Sequence, residues 1–142
     1  MKLTRKFKKF VQLRHKDRLL VVEAVIMLAI ARFCVLAVPF RILAKWLDRA
    51  PDAPAPDTML PARVGWAIAA AARNVPWNDV CLPQAIAAKA MLARRGQGSA
   101  FHLGAMIGED GTLSAHAWLE CRGRIVTGAV GMRGMSPLAR FG

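Results

Sequence analysis

The chain has 142 residues and a formal net charge of +12, from 21 Lys and Arg against 9 Asp and Glu. This length predicts one domain with a hydrophobic core that needs no disulfides. The three cysteines have no CxxC spacing, which argues against a disulfide framework or a zinc ribbon and favours a reducing compartment. Zinc-finger and RNP spacings are also missing, so the basic charge does not predict a nucleic-acid partner.

The charge is concentrated at the start of the chain, where residues 1–18 hold eight Lys and Arg against Asp17. This basic arm is predicted to be solvated, and anionic lipid headgroups or an acidic partner are open alternatives. Glu23 and Arg32 interrupt the apolar run that follows, so its uncharged stretches are shorter than the ~20 residues of a spanning helix. We therefore predict a buried or interfacial helix in a cytoplasmic protein, with association at the inner face of the membrane left open.

The remaining pattern divides the chain into three parts. Residues 1–47 hold the basic arm and apolar helices, the longest of which is predicted from His15 to Val38, before Pro39. Residues 48–57 contain three prolines and are predicted to be a linker. Residues 58–142 are predicted to form the core of the domain.

In that third part, two helices are predicted before a set of short strands. The first runs from Pro61 to Asn74 with Asp57 or Thr58 as its cap, and the second from Val80 to Arg95, before Gly96. After Gly98 the segments "SAFHLGAMIG", "SAHAWLEC" and "RIVTG" predict strands joined by the turns "EDG" and "RG". Helices followed by a small antiparallel sheet make an α+β domain.

Cys81 lies at the predicted start of the second of these helices. If Asn78 or Asp79 caps the helix, Cys81 falls in its first turn, where unpaired N–H groups and the helix dipole favour a thiolate. The same N–H groups can hold an oxyanion, and Gln84 is a further candidate donor, with a helix-surface amide as its alternative role. The alternative for Cys81 is a buried, inert cysteine.

A nucleophilic cysteine needs a base, and His116 in "SAHAWLE" is the candidate. The alanines on either side leave room for a substrate to approach the imidazole. Trp77 and Trp118 are candidates to line a peptide groove, although buried tryptophans are commonly core residues. His102 belongs to a predicted strand and could face either way.

The segments "VPWNDVCLPQAIAAKAMLARRG" and "SAHAWLECRGRIV" together resemble the transglutaminase-like cysteine peptidases of lasso-peptide biosynthesis, the microcin-processing B-protein family. "VPFRIL" is also similar. The resemblance implies a papain/transglutaminase-like core that cleaves the leader from a ribosomally made precursor peptide, with Cys81 as nucleophile and His116 as general base and acid. No metal or cofactor is expected.

The resemblance also implies partners. Many family members carry a small winged helix-turn-helix domain that recognises the leader, and nothing like it fits before Leu19. The chain is therefore expected to be a stand-alone peptidase that needs a separate recognition protein. A separate ATP-using lasso cyclase would then close the macrolactam ring.

One element of the family pattern is missing. The family has an Asp on the strand after His-Ala-Trp, whereas this sequence has Thr127 and Gly128 there and no carboxylate after Glu120. Glu120 itself would lie roughly 13 Å along the strand from His116. Thr127, a backbone carbonyl, Asn78 and Asp79 are the alternatives for the group that orients the histidine. The missing carboxylate also motivates a second function, a non-catalytic basic adaptor of a peptide-maturation complex.

Overall fold

The computed structural model describes residues 2–49, 57–77 and 81–142. Across these residues, five helices precede a four-stranded antiparallel sheet, which confirms the predicted α+β class. The elements are α1 (Lys2–Val11), α2 (His15–Ala37), α3 (Phe40–Leu47), α4 (Leu60–Ala72), α5 (Cys81–Ala93), β1 (Ala100–Ile107), β2 (Leu113–Cys121), β3 (Arg124–Thr127) and β4 (Ser136–Phe141). The predicted caps Asn78 and Asp79 and the middle of the Pro-rich linker lie outside the described residues.

The helix ends follow local backbone chemistry. α2 stops before Pro39 because a residue that precedes proline disfavours the helical region, and Val38 is extended with φ −104° and ψ 130°. At the start of α4, Asp57 Oδ1 accepts a hydrogen bond from the Met59 amide at 2.9 Å, but Met59 is the N-cap and α4 has no side-chain cap hydrogen bond, so the prediction of Asp57 or Thr58 as the cap is wrong. Gly96 follows α5 with φ +71°, a conformation that glycine adopts without strain.

Residues 2–11 are helical, whereas the charge run was predicted to be a solvated arm. Leu3, Phe7 and Phe10 recur at helical spacing, and Phe10 packs against the core. The basic side chains of α1 are nevertheless exposed, as expected for a charged segment. The apolar spacing within the charge run is the signal for this helix.

The strand order of the sheet is β3-β2-β1-β4, so β2 and β1 are its central strands. β4 is not among the predicted strands, and its segment "SPLARF" contains Pro137, which cannot donate a ladder hydrogen bond. An edge strand tolerates such a proline. β4 pairs with β1 with a register shift between Leu103 and Gly104.

The core lies between the helices and one face of the sheet. α2 packs against α4 and α5, and α5 packs against β2, so α2 belongs to the same core as the later elements. Phe101 and Leu119 are fully buried on the helix-facing side of the sheet, and Leu28, Val64, Ile68 and Leu92 are fully buried on the helices. This packing brings the first turn of α5 to the middle of β2.

α2 is long enough and apolar enough to cross a membrane by length and composition, with a mean hydropathy of 2.5 in its most apolar window. Of that window, 28% is buried inside the protein. A core helix of a soluble protein, or a signal sequence near an N-terminus, has the same properties.

An ion-pair cluster joins α2 to the end of α5. Arg95 donates to both Glu23 carboxylate oxygens, at 2.9 and 2.6 Å, and Arg94 donates to one of them at 3.0 Å. The hydrogen bonds from Arg95 are the main cause of a lowered pKa at Glu23, since they stabilise the charged form. The Glu23 carboxylate therefore stabilises the fold at any pH at which it is ionised.

We expect Glu23→Gln to lower the free energy of unfolding by about 1 kcal/mol at pH 7, because the charge-assisted hydrogen bonds are lost. A folded pKa below the unfolded value gives stability that is present above about pH 4.3 and is lost as the pH falls through the folded pKa. Chemical denaturation of native and variant chains at pH 7 and in acid measures this difference, which should shrink in acid. Glu109→Gln, an exposed carboxylate in the β1–β2 turn, is the matched control, and a pH-independent difference at Glu23 would contradict the ion-pair account.

Candidate active site

The candidate nucleophile, Cys81, is in the first turn of α5, beside the middle of β2. Its Sγ accepts a hydrogen bond from the backbone N–H of Ala117 at 3.4 Å, and Ala117 follows His116 directly in the strand. Cys81 is partly exposed. Packing of α5 on β2 therefore brings the predicted nucleophile next to the strand that carries the predicted base.

The other two cysteines have different surroundings. Cys121 is buried, accepts a hydrogen bond from Gln97 at 3.3 Å and donates one to the Gly98 carbonyl at 3.3 Å. Burial raises the pKa of the Cys121 thiol, because it penalises the thiolate. Cys34 lies on α2, partly buried against the core. Of the three cysteines, Cys81 is the one that lies at the start of a helix and contacts β2, the strand that carries His116.

A cavity of about 380 Å³ opens at this point. Four of the predicted site residues line it together: Cys81, Gln84, His116 and Thr127. The remaining wall is formed mostly by small and aliphatic residues: Gly65, Ile68, Ala69, Val126, Gly128, Ala129 and Val130.

The His116 imidazole is held by a backbone carbonyl. Its Nε2 lies 2.8 Å from the oxygen of Gly128. Since a carbonyl oxygen only accepts, Nε2–H is the donor, and the neutral ring therefore carries its lone pair on Nδ1. This hydrogen bond both orients the ring and selects the tautomer, which is what the carboxylate does in a catalytic triad. Among the described residues, the backbone carbonyl is the one of the alternatives left open by the sequence that contacts His116.

A bulge in the β2–β3 hairpin explains why the contact involves Gly128 rather than Thr127. The predicted Arg122-Gly123 turn is present, with Cys121 paired to Arg124, and regular pairing from there would put Thr127 opposite Trp118. The register instead shifts between Leu119 and Glu120, so Thr127 pairs with Leu119.

The shift turns Thr127 towards the core. Residues that pair directly share a face of the sheet, and Thr127, like Leu119, is buried on the helix-facing side. Its hydroxyl has no hydrogen-bond partner among the described residues. The next residue, Gly128, then presents its carbonyl to His116. The other two alternatives, Asn78 and Asp79, lie outside the described residues.

The Gly128 position tolerates only glycine without rearrangement. Its φ is +81°, and a Cβ there would lie 2.5 Å from the Ala117 oxygen and 2.8 Å from the Trp118 Cβ. The backbone of the loop can approach β2 this closely because no side chain intervenes. The glycine that ends "RIVTG" is the signal in the sequence for this approach.

Trp118 packs beside the histidine rather than in the cavity. Its ring stacks on His102 with centroids 5.3 Å apart and lies 6.3 Å from the ring of His116, while only 7% of the residue is exposed. His102, which the sequence left facing either way, is therefore on the His116 side of the sheet. The Trp118 ring thus packs against the His116 imidazole on the same face of β2. Neither Trp118 nor Trp77 is among the residues that line the cavity.

Comparison with protein families identifies the fold. A model described as the transglutaminase-like superfamily matches residues 24–140, from α2 to the last strand. The chain belongs to the transglutaminase-like superfamily. This superfamily includes cysteine peptidases, and the matched region of this transglutaminase-like chain contains both Cys81 and His116. No curated protein and no solved structure gives a significant match to the chain.

Proposed function

We propose that this transglutaminase-like chain is a cysteine peptidase that removes the leader from a ribosomally made lasso precursor peptide. The observation that carries the proposal is the meeting of Cys81 and His116 at one cavity, with the histidine tautomer selected by the Gly128 carbonyl. The family membership supports a thiol hydrolase, and the Pro-Trp, Cys-Leu and His-Ala-Trp segments support the narrower substrate class.

The first half of the reaction forms a thioester. His116 Nδ1 takes the thiol proton, and Cys81 Sγ attacks the carbonyl carbon of the scissile peptide bond. Backbone N–H groups of the first turn of α5 and the side-chain amide of Gln84 stabilise the oxyanion. The C–N bond then breaks, the imidazolium returns its proton to the leaving amine, and the leader remains bound to Sγ as an acyl group.

The second half releases the leader. Water attacks the thioester carbonyl while His116 takes its proton; the C–S bond then breaks, and the imidazolium returns the proton to the Cys81 sulfur. The products are the leader with a new carboxylate and the core peptide with a new amine. No step needs a metal or a cofactor, and the freed amine is the group that a separate lasso cyclase would join to a side-chain carboxylate.

Recognition of the leader is assigned to a second protein. The cavity is lined mainly by small residues and offers few charged groups with which to hold a long leader, so affinity has to come from elsewhere. A separate winged helix-turn-helix recognition protein that binds both leader and peptidase raises the effective concentration of the scissile bond. The reaction is expected to take place in the cytoplasm.

The test is a reconstituted reaction of precursor peptide, recognition protein and native chain, followed by mass spectrometry. We expect one cleavage that yields leader and core, and we expect it to be much slower when the recognition protein is left out. Intact precursor after prolonged incubation with both proteins would contradict the proposal. That outcome would favour the non-catalytic adaptor instead.

A further inference from the structure

The solvent-facing side of α2 is apolar along almost its whole length. At 100° per residue, six side chains lie within about 120° of the helix circumference, a band that we call the outer stripe. Their exposed fractions run from 44% to 76%. They are Leu19, Val22, Ile26, Ile30, Phe33 and Leu36.

The opposite side of the same helix is buried in the core, with Leu20, Ala24, Leu28 and Ala31 at 6% exposure or less. A surface helix of a soluble domain has charged or polar residues on its outer face, whereas a helix that is apolar all round is covered on every side. The core covers only one side of α2. Within the part of the chain that the structure describes, nothing covers the outer stripe, although its apolar composition is that of a covered face.

α1 carries the same combination of exposed apolar and basic side chains. Leu3, Phe7 and Val11 share one face and are 82%, 68% and 49% exposed. The rest of the helix surface is basic and contains no carboxylate, with Lys2, Arg5, Lys6, Lys8 and Lys9. Three more cations, Arg14, Lys16 and Arg18, follow before the outer stripe begins.

We propose that α1 and the outer stripe bind the surface of an anionic phospholipid bilayer. The acyl layer of such a bilayer can cover the exposed apolar side chains, and its negatively charged headgroups can bind the basic side chains. A second copy of the chain would cover the apolar area but would bring two blocks of eight cations together. The charge therefore favours the bilayer over a homodimer.

α2 lies along the bilayer surface rather than across it. Its buried side packs against α4 and α5, and Glu23 is held by Arg94 and Arg95 at the end of α5. A transmembrane orientation would strip these contacts from the helix. A parallel orientation keeps them and buries only the outer stripe. This inference goes beyond the proposed peptidase function and does not depend on it.

The test is co-sedimentation of the full chain with vesicles of phosphatidylcholine, with and without phosphatidylglycerol. We expect strong binding only to the vesicles with phosphatidylglycerol. Lys6→Gln, Lys8→Gln and Lys9→Gln together should weaken that binding about a hundredfold at low salt, since each lysine near the surface contributes about fivefold. High salt should reduce the difference between native and triple variant.

The apolar half of the proposal is tested with a double variant of the outer stripe, Ile26→Gln with Phe33→Gln. Because less apolar area enters the bilayer, its partition coefficient should fall at least about tenfold. The matched control is Ile107→Gln with Leu113→Gln, a cross-strand pair on the β1–β2 hairpin in which each residue is 72% exposed. Unchanged binding of this control supports the outer stripe as the contact. Circular dichroism checks that all variants keep the native fold.

Three results would overturn the proposal. Equal binding by native chain and outer-stripe variant would exclude the stripe as the contact. A dimer in solution that the same variant converts to a monomer, without vesicle binding, would make the stripe a subunit interface. A monomer that ignores both kinds of vesicle would leave an acidic protein as the occupant of this surface.

Discussion

Cys81→Ala is expected to abolish cleavage of the precursor peptide in the reconstituted reaction. Without Sγ no thioester forms, and removal of a nucleophile from such a site lowers the rate by more than about 10⁴-fold. The substitution should leave the fold intact, because the thiol is partly exposed and accepts only a weak hydrogen bond, at 3.4 Å, from the Ala117 amide. The measurement is the initial rate of leader release, followed by mass spectrometry.

Cys34→Ala is the matched control for this variant. Cys34 is likewise partly buried, but it lies on α2 in contact with the core, away from His116. It should keep the native rate. Alkylation of the native chain at neutral pH provides a second readout, in which Cys81 should react faster than Cys34 and the buried Cys121. Equal cleavage by Cys81→Ala and native chain would remove Cys81 as the nucleophile.

Gly128→Ala is expected to lower the cleavage rate about a hundredfold while substrate binding changes little. The new Cβ cannot occupy its position 2.5 Å from the Ala117 oxygen, so the loop must move and carry the carbonyl away from His116. A displacement of about 1 Å in a catalytic arrangement can cost about 10²-fold in rate. The expected change is therefore in kcat rather than KM, measured with the recognition protein at saturation.

Gly134→Ala is the control that separates displacement of the Gly128 carbonyl from the strain of a positive φ. Gly134 lies in the same loop with φ +78°, close to the +81° of Gly128, but a Cβ there would meet only the flexible Met106 side chain, at 3.4 Å. It should introduce a similar positive-φ strain without the backbone clash, and keep much more of the rate. Because the carbonyl acts through the imidazole, adding Gly128→Ala to His116→Ala should cause little further loss. Additive losses would show that Gly128 does not work through His116.

The helices could be predicted from the sequence because their signals are local. The spacing of apolar residues, the proline after Val38 and the glycine after α5 act over a few residues, and the structure has helices close to the predicted bounds. Residues 2–11 are not predicted as a helix, because a charge run is typical of a solvated segment, although Leu3, Phe7 and Phe10 recur at helical spacing. Residues 136–141 are not predicted as a strand either; they contain Pro137, and their pairing with the edge of β1 is a tertiary contact.

The candidate site residues could be predicted in part because their signals are also local. A cysteine before a helix and a histidine in a strand between alanines are visible in the chain as residue types with local context. The group that contacts His116 among the described residues is a main-chain oxygen, which every residue has, so no side chain identifies it. Its position depends on the bulge after Leu119, and the turn sequence alone predicts regular pairing that would place Thr127 differently.

The sequence by itself determined the α+β class, named Cys81 at a helix start and His116 in a strand as candidates, and showed a basic run of residues before an apolar helix. The tertiary structure decided that α5 meets β2 beside His116, that the Gly128 carbonyl contacts the imidazole, and that the other described residues leave the outer stripe of α2 exposed. The division has a physical cause. Periodicity and capping act between neighbours in the chain, whereas contacts between distant elements and the exposure of a helix face are set by how those elements pack.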